Sequence, residues 1–201
     1  MKIERFKYFY PEHTRLAHID RITHYDHEGN VAELKRNGSR LQLHHLPSSG
    51  RMRWQAWNRH EEIMSYKPNV DVARALKSIG DRLDGYCLFD GELRHGKVKG
   101  IQHMMDIYDV FIWQGKLLIG KPFWYRRGLL EKLFNNIEHP IGIATQYHTD
   151  FKYIYDVNII RPEIEGLVVK SLMGKLDLGR NRGMDSKWMW KFRRPSNSYR
   201  F

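Results

Sequence analysis

The residues best placed to do chemistry are a lysine and its neighbours in a short polar turn. Lys35, Gly38 and Arg40 have the spacing Lys-x-x-Gly-x-Arg, and Asn37-Gly38 is a dipeptide typical of a tight turn. Residues 41–43 then alternate apolar and polar side chains, so the turn is predicted to join two strands of a hairpin, with Lys35 at its mouth. An amine is a nucleophile only when it is unprotonated, which requires burial or nearby cations to lower its pKa. A lone lysine beside a turn is ordinarily a solvated charge, so the assignment of Lys35 as a nucleophile depends on the rest of the chain.

Further charged residues stand at the ends of other predicted strands. Glu92 follows a short apolar segment, and Glu165 and Lys170 bracket another. Lys191 and Arg193 alternate with bulky residues in the last predicted strand. Cations on several strands predict a cradle for phosphates, and carboxylates among them predict a divalent metal site.

Composition narrows the class of protein. The chain has 201 residues and a formal charge of +11, which favours a polyanionic partner. No apolar run approaches the roughly 20 residues needed to span a bilayer, and the N-terminus lacks a signal-peptide core. Cys87 is the only cysteine, which fits a reducing compartment. We therefore expect a cytoplasmic protein, in the host cytoplasm if the chain is viral, with no membrane partner.

The predicted elements indicate an α+β fold with antiparallel sheets, in a single domain covering residues 1–201. Apolar spacing predicts one helix from residue 70 to Gly80 and another beginning at Pro122. Residues 141–160 are predicted to form two further strands with a polar turn around Asp150. Arg126 and Arg127, on the second helix, are expected at the surface or in contact with nucleic acid.

In sequence order, the charged blocks resemble the motifs of covalent nucleotidyltransferases, and among them the ATP-dependent DNA ligases of the small bacteriophage type. The matching segments are 35–40 (KRNGSR, motif I), 49–51 (SGR), 89–93 (FDGEL, motif III), 107–110 (IYDV, motif IIIa), 165–170 (EGLVVK, motif IV) and 188–193 (WMWKFR, motif V). The resemblance covers roughly residues 30–195. It implies the adenylation-domain fold of the DNA ligases, in which helices flank antiparallel sheets and a nucleotide cleft lies between the sheets.

The chain departs from the family pattern at two positions. Asn37 stands where the family usually has Asp, and Arg193 stands where it usually has a second lysine. Nothing after Lys191 resembles the oligonucleotide-binding-fold domain that normally follows. If that domain's basic motif is missing, self-adenylation should be slowed more than the sealing of a nick supplied already adenylated.

The resemblance implies a role for each motif residue. Lys35 would attack the α-phosphate of ATP to form a lysyl-adenylate, whose AMP passes to the 5′-phosphate of a nick before the 3′-hydroxyl displaces it. Glu33 would read the adenine amino group, although an exposed strand glutamate is a close alternative, and Tyr108 would stack on adenine or belong to the core. Glu92 would bind the ribose, or cap a turn. The other implied contacts are sugar or phosphate for Arg40, Arg51, Lys170, Lys191 and Arg193, a Mg²⁺ or Mn²⁺ ion for Glu165 and Glu92, and DNA for Arg126, Arg127 and Arg194.

The resemblance also implies the partners. ATP is favoured over NAD because the NAD-dependent family carries an extra domain before its lysine. We expect a monomer acting on nicked duplex DNA in replication, repair or recombination, with a separate clamp or binding protein possible. RNA ligases and capping guanylyltransferases are the alternatives within the superfamily. Arg40 argues against the first and the Val-Val-Lys of motif IV against the second. A basic DNA-binding protein that kept the fold without catalysis is the alternative of another class.

Overall fold

A computed structural model describes residues 8–48, 51–137, 139–177 and 184–194, without the side chains of residues 47, 48, 51 and 52. These residues form two β-sheets, three α-helices and a 3-10 helix over Ile19–Tyr25. The strands are β1 His13–Leu16, β2 Asn30–Arg36, β3 Ser39–Ser48, β4 Arg51–Trp57, β5 Cys87–Arg94, β6 Met104–Trp113, β7 Lys116–Leu117, β8 Ile141–Ile143, β9 Gln146–Tyr147, β10 Ile164–Ser171 and β11 Asp185–Arg193. The helices are α1 Val70–Gly80, α2 Phe123–Phe134 and α3 Phe151–Ile159.

Sheet 1 has the strand order β1-β11-β10-β2-β9, and sheet 2 has the order β4-β3-β5-β6-β7 with β8 beside β6. Most pairs are antiparallel, but β1 runs parallel to β11 and β8 runs parallel to β6. The predicted turn at Asn37-Gly38 is present, but the predicted hairpin is wrong. Strands β2 and β3 do not pair, because the chain leaves sheet 1 at the end of β2 and enters sheet 2 at β3. Lys35 therefore lies at the crossing point between the sheets. The α+β prediction is confirmed.

Two apolar clusters cover the outer faces of the sheets. One joins sheet 2 to α1 and α2, with residues such as Leu43, Leu76 and Leu130. The other joins sheet 1 to α3 and the 3-10 helix, with residues such as Leu34 and Phe151. Because side chains alternate along a strand, the opposite face of β2 presents Glu33 and Lys35 toward sheet 2. The inner faces therefore carry polar groups.

Both helices predicted from sequence are present, with Asn69 accepting a hydrogen bond from Val72 N at the start of α1 and Pro122 preceding α2. The prediction of two strands on either side of a turn at Asp150 is wrong in part, because β8 and β9 both precede Asp150 and the segment after it is the helix α3. Phe151 and Tyr155 are four residues apart and pack on one side of α3, while Asp26 accepts a hydrogen bond from Phe151 N at the helix start. This capping group comes from 125 residues away, so local sequence gives no sign of it.

Candidate active site

Lys35 pairs with Glu165 across neighbouring strands of sheet 1. The β2–β10 ladder places Gly166 opposite Lys35, and the ammonium of Lys35 donates a hydrogen bond to the carboxylate of Glu165. The guanidinium of Arg193, on β11, lies 3.8 Å from the same carboxylate. Both charged groups of the central pair are partly exposed, with side-chain exposures of 22% and 33%. The candidate nucleophile is therefore accessible from solvent and is held by a carboxylate.

Lys191 adds a second lysine to this face of sheet 1. It lies opposite Val168 of β10, which in turn lies opposite Glu33 of β2. Burial lowers the pKa of Lys191, and the nearby charges of Arg193 and Lys35 lower it further. Repulsion among three clustered cations is the electrostatic condition expected where a protein binds phosphates.

Glu33 and Lys170 form a buried ion pair further along the same face. Lys170 Nζ lies 2.6 Å from Glu33 Oε2, and both side chains are almost wholly buried. The Lys170 ammonium also lies 4.6 Å from the centre of the Phe123 ring and 5.7 Å from that of Tyr108. Tyr108, from sheet 2, thus meets sheet 1 through Lys170. Burial raises the pKa of the Tyr108 phenol well above its usual value, and the charge of Glu92 adds to the shift.

Sheet 2 contributes Arg40, Asp90 and Glu92. Arg40 forms a two-pronged ion pair with Asp90, with Nε–Oδ1 at 2.9 Å and Nη2–Oδ2 at 2.7 Å. Burial opposes the charged form of Arg40, but Asp90 outweighs it and the pKa of Arg40 is raised. The turn packs tightly on the next strand, because a Cβ on Gly38 would lie 2.6 Å from Glu92 Cγ. Glycine is therefore required at position 38 by close approach.

The carboxyl of Glu92 has a pKa raised to near neutral pH. Burial raises its pKa to about 7, although Lys35, Arg40 and Lys97 each lower it. Lys97 reaches this region from the loop between β5 and β6 and donates a hydrogen bond to the carbonyl of Gly38. The carboxyl of Glu92 therefore lies between cations of both sheets, near the lysine of the turn.

The carboxylates suit a magnesium or manganese ion brought by a nucleotide. Within the described residues, no cluster of three or more His, Cys, Asp or Glu side chains forms a ready metal cage. Mg²⁺ is commonly held by one or two carboxylates together with substrate phosphates and water. Glu165 and Glu92 provide two such groups near Lys35, so the donor set fits that mode of binding.

Two sequence predictions are corrected here. The guanidinium of Arg126 is fully buried, where it pairs with Asp109 at 2.8 Å through both Nε and Nη2. Arg127 is also buried, donating to Ala144 O at 2.7 Å and to Glu131 at 2.9 Å. The prediction that these two arginines lie at the surface is wrong, because each guanidinium is paired with carboxylates and backbone carbonyls inside the fold. They are removed from the candidate DNA contacts.

The remaining arginines have different placements. Arg194 is exposed, and its guanidinium donates to backbone carbonyls at the end of α3 and just beyond it, including Arg161 O at 3.0 Å. The side chain of Arg51 lies outside the described residues. DNA contact by Arg194 and phosphate contact by Arg51 stay predictions.

Three residues of the site were missed at the sequence level: Asp90, Lys97 and Gln146. Gln146 Nε2 donates to Glu33 Oε1 at 3.0 Å. Asp90 stands immediately before Gly91-Glu92 in motif III, which was a signal that could have been used. Lys97 and Gln146 reach the site from a loop and an edge strand, and no local pattern marks them.

Two surface cavities, of about 400 and 450 Å³, lie around Trp188, and neither is lined by Lys35 or Glu92.

Comparison with solved structures identifies the fold. The chain superimposes on mycobacterial DNA ligase D complexed with ATP and MES with a TM-score of 0.71 and 14% identity, over 96% of this chain and 62% of that one. It also matches the ATP-dependent DNA ligase of bacteriophage T7 in complex with ATP (TM-score 0.55, 17% identity, 95% of this chain and 70% of that one). An archaeal ATP-dependent RNA ligase matches as well (TM-score 0.56, 14% identity, 92% and 48%). The fold is thus that of the nucleotidyltransferase domain of ATP-dependent ligases.

The resemblance first seen in the motifs is therefore confirmed at the level of fold. No family model and no curated protein matches the sequence. The chain spans about three fifths of the length of the DNA ligase D structures. Within the described residues, no helix is long and apolar enough to cross a membrane.

Proposed function

We propose that this chain is an ATP-dependent polynucleotide ligase that seals nicks in duplex DNA through a lysyl-AMP intermediate on Lys35. The observation that carries the proposal is the position of Lys35 at the crossing of the two sheets, paired with Glu165. Lys191 and Arg193 lie beside it on sheet 1, and Glu92 faces it from sheet 2. A protein that only binds DNA needs positive charge. It does not need a lysine that is paired with one carboxylate and has a second carboxyl group and further cations around it.

In the first step, the neutral amine of Lys35 attacks the α-phosphorus of ATP. A nitrogen–phosphorus bond forms, the bond from that phosphorus to the bridging oxygen breaks, and pyrophosphate leaves. Glu165 holds the Lys35 ammonium in the free protein, so the ammonium must pass a proton to this carboxylate or to water, and the neutral amine must leave Glu165, before it attacks. The attack is favoured by orientation, because the β2–β10 ladder fixes the backbone of Lys35 on a rigid strand.

The surrounding residues bind and orient the nucleotide. In this proposal, Lys191 and Arg193 contact phosphate oxygens, and Arg40 and Glu92, beside the turn, contact the sugar. A bound Mg²⁺ or Mn²⁺ ion, held by Glu165 and Glu92, would supply charge neutralisation on the phosphates. Tyr108 and Glu33 mark the base end of the site. Lys170, paired with Glu33 in the free protein, would have to exchange partners to reach a phosphate.

The later steps move the AMP group to a nick and then expel it. The phosphoramidate bond to Lys35 breaks as a 5′-phosphate oxygen attacks the AMP phosphorus, and a pyrophosphate link forms. The 3′-hydroxyl then attacks the 5′-phosphorus, giving a phosphodiester bond and free AMP. The charge of +11 supports binding of the polyanionic duplex.

The test is intact-mass measurement after incubation with ATP and Mg²⁺. We expect a gain of one AMP, which Lys35→Ala abolishes. Lys152→Ala is the matched control, since Lys152 lies on α3, on the face of sheet 1 away from Glu33 and Lys35, and it should leave the gain unchanged. An adduct that survives Lys35→Ala, or one formed with GTP in preference to ATP, would contradict the proposal.

The polynucleotide is tested with matched nicked duplexes. The nick carries either a deoxyribose or a ribose strand on its 3′-hydroxyl side, and sealing is followed under single-turnover conditions. Faster sealing of the all-DNA nick supports a DNA ligase. Faster sealing of the RNA-containing nick would favour the RNA ligase alternative, and AMP transfer to Lys35 without any sealing would leave only the nucleotidyltransferase half of the proposal.

A further inference from the structure

Gln146 lies beside Glu33 at the base end of the candidate site. The β2–β9 ladder places the two residues directly opposite each other, so their side chains lie on the same face of sheet 1 as Lys35. Strand β9 is the outermost strand of the sheet on this side. Gln146 is partly exposed, whereas Glu33 is 2% exposed.

The carboxylate of Glu33 is already occupied by donors. Its Oε2 atom accepts from Lys170 Nζ at 2.6 Å, and its Oε1 atom accepts from Gln146 Nε2 at 3.0 Å. Arg127 Nη1 lies 3.8 Å from the same Oε1 atom. Two hydrogen bonds and a nearby guanidinium therefore hold Glu33 inside the fold, whereas the amide of Gln146 is partly exposed.

The pairing also fixes the orientation of the Gln146 amide. An ionised carboxylate only accepts hydrogen bonds, so the NH₂ group of Gln146 must face it. The reverse orientation would bring two acceptor oxygens together and lose the bond. The amide carbonyl of Gln146 therefore points away from Glu33, and it accepts no hydrogen bond from the described part of the chain.

Tyr108, on which the base stacks in the proposed function, lies near the Glu33–Gln146 pair. The Lys170 ammonium contacts Glu33 and lies 5.7 Å from the centre of the Tyr108 ring, so the ring and the Glu33–Gln146 pair flank the same group. The edge of a purine on that ring would face the amide.

We propose that the carbonyl oxygen of Gln146 accepts a hydrogen bond from the 6-amino group of adenine, and that Glu33 is a positioning residue that orients the amide. This inference rests on the proposed function and names the group that selects ATP. Adenine presents a donor at position 6, whereas guanine and hypoxanthine present an acceptor there. Two acceptors facing each other in a partly desolvated site leave both unpaired, so the site rejects 6-oxo purines.

The experiment compares three triphosphates as donors to Lys35: ATP, ITP with its 6-oxo group, and purine riboside triphosphate with no substituent at position 6. The rate of adduct formation is followed by intact mass. For the unaltered protein we expect ATP to be fastest and ITP slowest. Gln146→Met should lower the ATP to ITP rate ratio by about tenfold, the value of one lost hydrogen bond, and should leave the rate with purine riboside triphosphate unchanged.

A second substitution keeps the outcome decisive. Gln146→Ala removes the amide without filling its space, and should lose the preference even if the methionine variant misfolds. Gln102→Met, on the exposed loop between β5 and β6, is the matched control and should change none of the three rates.

The two possible failures are distinguishable. If Gln146→Met and Gln146→Ala melt cooperatively and keep the ATP to ITP ratio, the inference is wrong while the proposed function stands. If the unaltered protein forms no adduct with any of the three triphosphates, the proposed function fails and the inference fails with it.

Discussion

At the scale of single residues, the candidate site is built from charged groups held in place by opposite charges. Lys35 is held by Glu165, Lys170 by Glu33 and Arg40 by Asp90. Each pair restricts a long side chain to one geometry before any substrate arrives. For Arg40, part of the ordering cost of binding is thereby met during folding, whereas Lys35 and Lys170 exchange partners in the proposed chemistry.

The raised pKa of Glu92 predicts a pH-dependent effect on stability. The pKa rises from about 4.5 in the unfolded chain to about 7 in the fold, so the folded state binds the extra proton between these values. Ionisation of Glu92 therefore lowers the free energy of unfolding as the pH rises through about 7, and this loss is absent below about 4.5. Glu92→Gln, which mimics the neutral form, should raise the urea midpoint more at pH 8 than at pH 5. An equal change at both pH values would contradict the assigned burial.

Arg126 is predicted to stabilise the fold and not to contact DNA. Arg126→Met leaves Asp109 as a buried carboxylate without its two-pronged partner, which typically costs about 3–5 kcal/mol. Urea unfolding measures the loss. The double variant Arg126→Met/Asp109→Leu removes both charges and should recover much of it, so a double variant less stable than Arg126→Met would show that the two residues do not act as a pair.

At the scale of elements, the site depends on how closely β2, β10 and β11 approach one another. Gly166 follows Glu165 on β10 and has a φ of +151°, and a Cβ there would overlap the carbonyl oxygen of Phe192 on β11. Strand β10 therefore lies so close to β11 that the neighbour of Glu165 must be glycine. The β10–β11 register sets Arg193 opposite Gly166 and Lys191 opposite Val168, and the Arg193 guanidinium lies 3.8 Å from the Glu165 carboxylate.

Gly166→Ala should consequently disturb both stability and the site. A side chain at this φ and in this space forces β10 and β11 apart, with a cost of about 3 kcal/mol or more from backbone strain and overpacking. Thermal melting and AMP adduct formation measure the two effects. Gly142→Ala is the matched control, because a Cβ at this glycine in β8 meets nothing within 4 Å, and it should change neither quantity. A Gly166→Ala variant with unaltered melting would show that the strands do not approach this closely.

At the scale of the whole molecule, the charge of +11 predicts binding to DNA mainly through phosphates. Displaced counterions make such binding weaken with salt, by about 0.9 log units per phosphate contact for each log unit of salt. A titration of affinity for nicked duplex against salt should therefore give a steep slope. The slope of any Arg126→Met protein that still folds should match that of the unaltered protein, because Arg126 is buried. A flat titration would contradict the phosphate-dominated mode.

The sequence by itself determined the fold class, the turn that carries Lys35, both long helices and the order of the motifs. These follow from local rules: Asn-Gly turns, alternation in strands, helix caps and the identity of charged residues at strand ends. The motif order was informative because the chemistry needs particular residue types, and residue types are visible in a sequence. The sequence also predicted that Glu165 and Lys35 belong to one site.

Only the tertiary structure decided which charges pair with which. Lys170 was predicted to grip a phosphate, but it lies against Glu33, which is 137 residues away in the chain. In the sequence, Arg126 and Arg127 resemble a solvated pair on a helix. In the structure α2 packs with both side chains inside the fold, where Arg126 donates to Asp109 and Arg127 donates to Ala144 O. The helix α3 and the position of Gln146 were likewise decided by contacts with distant strands. Pairing of charges depends on distances between groups far apart in sequence, and those distances exist only once the two sheets have come together.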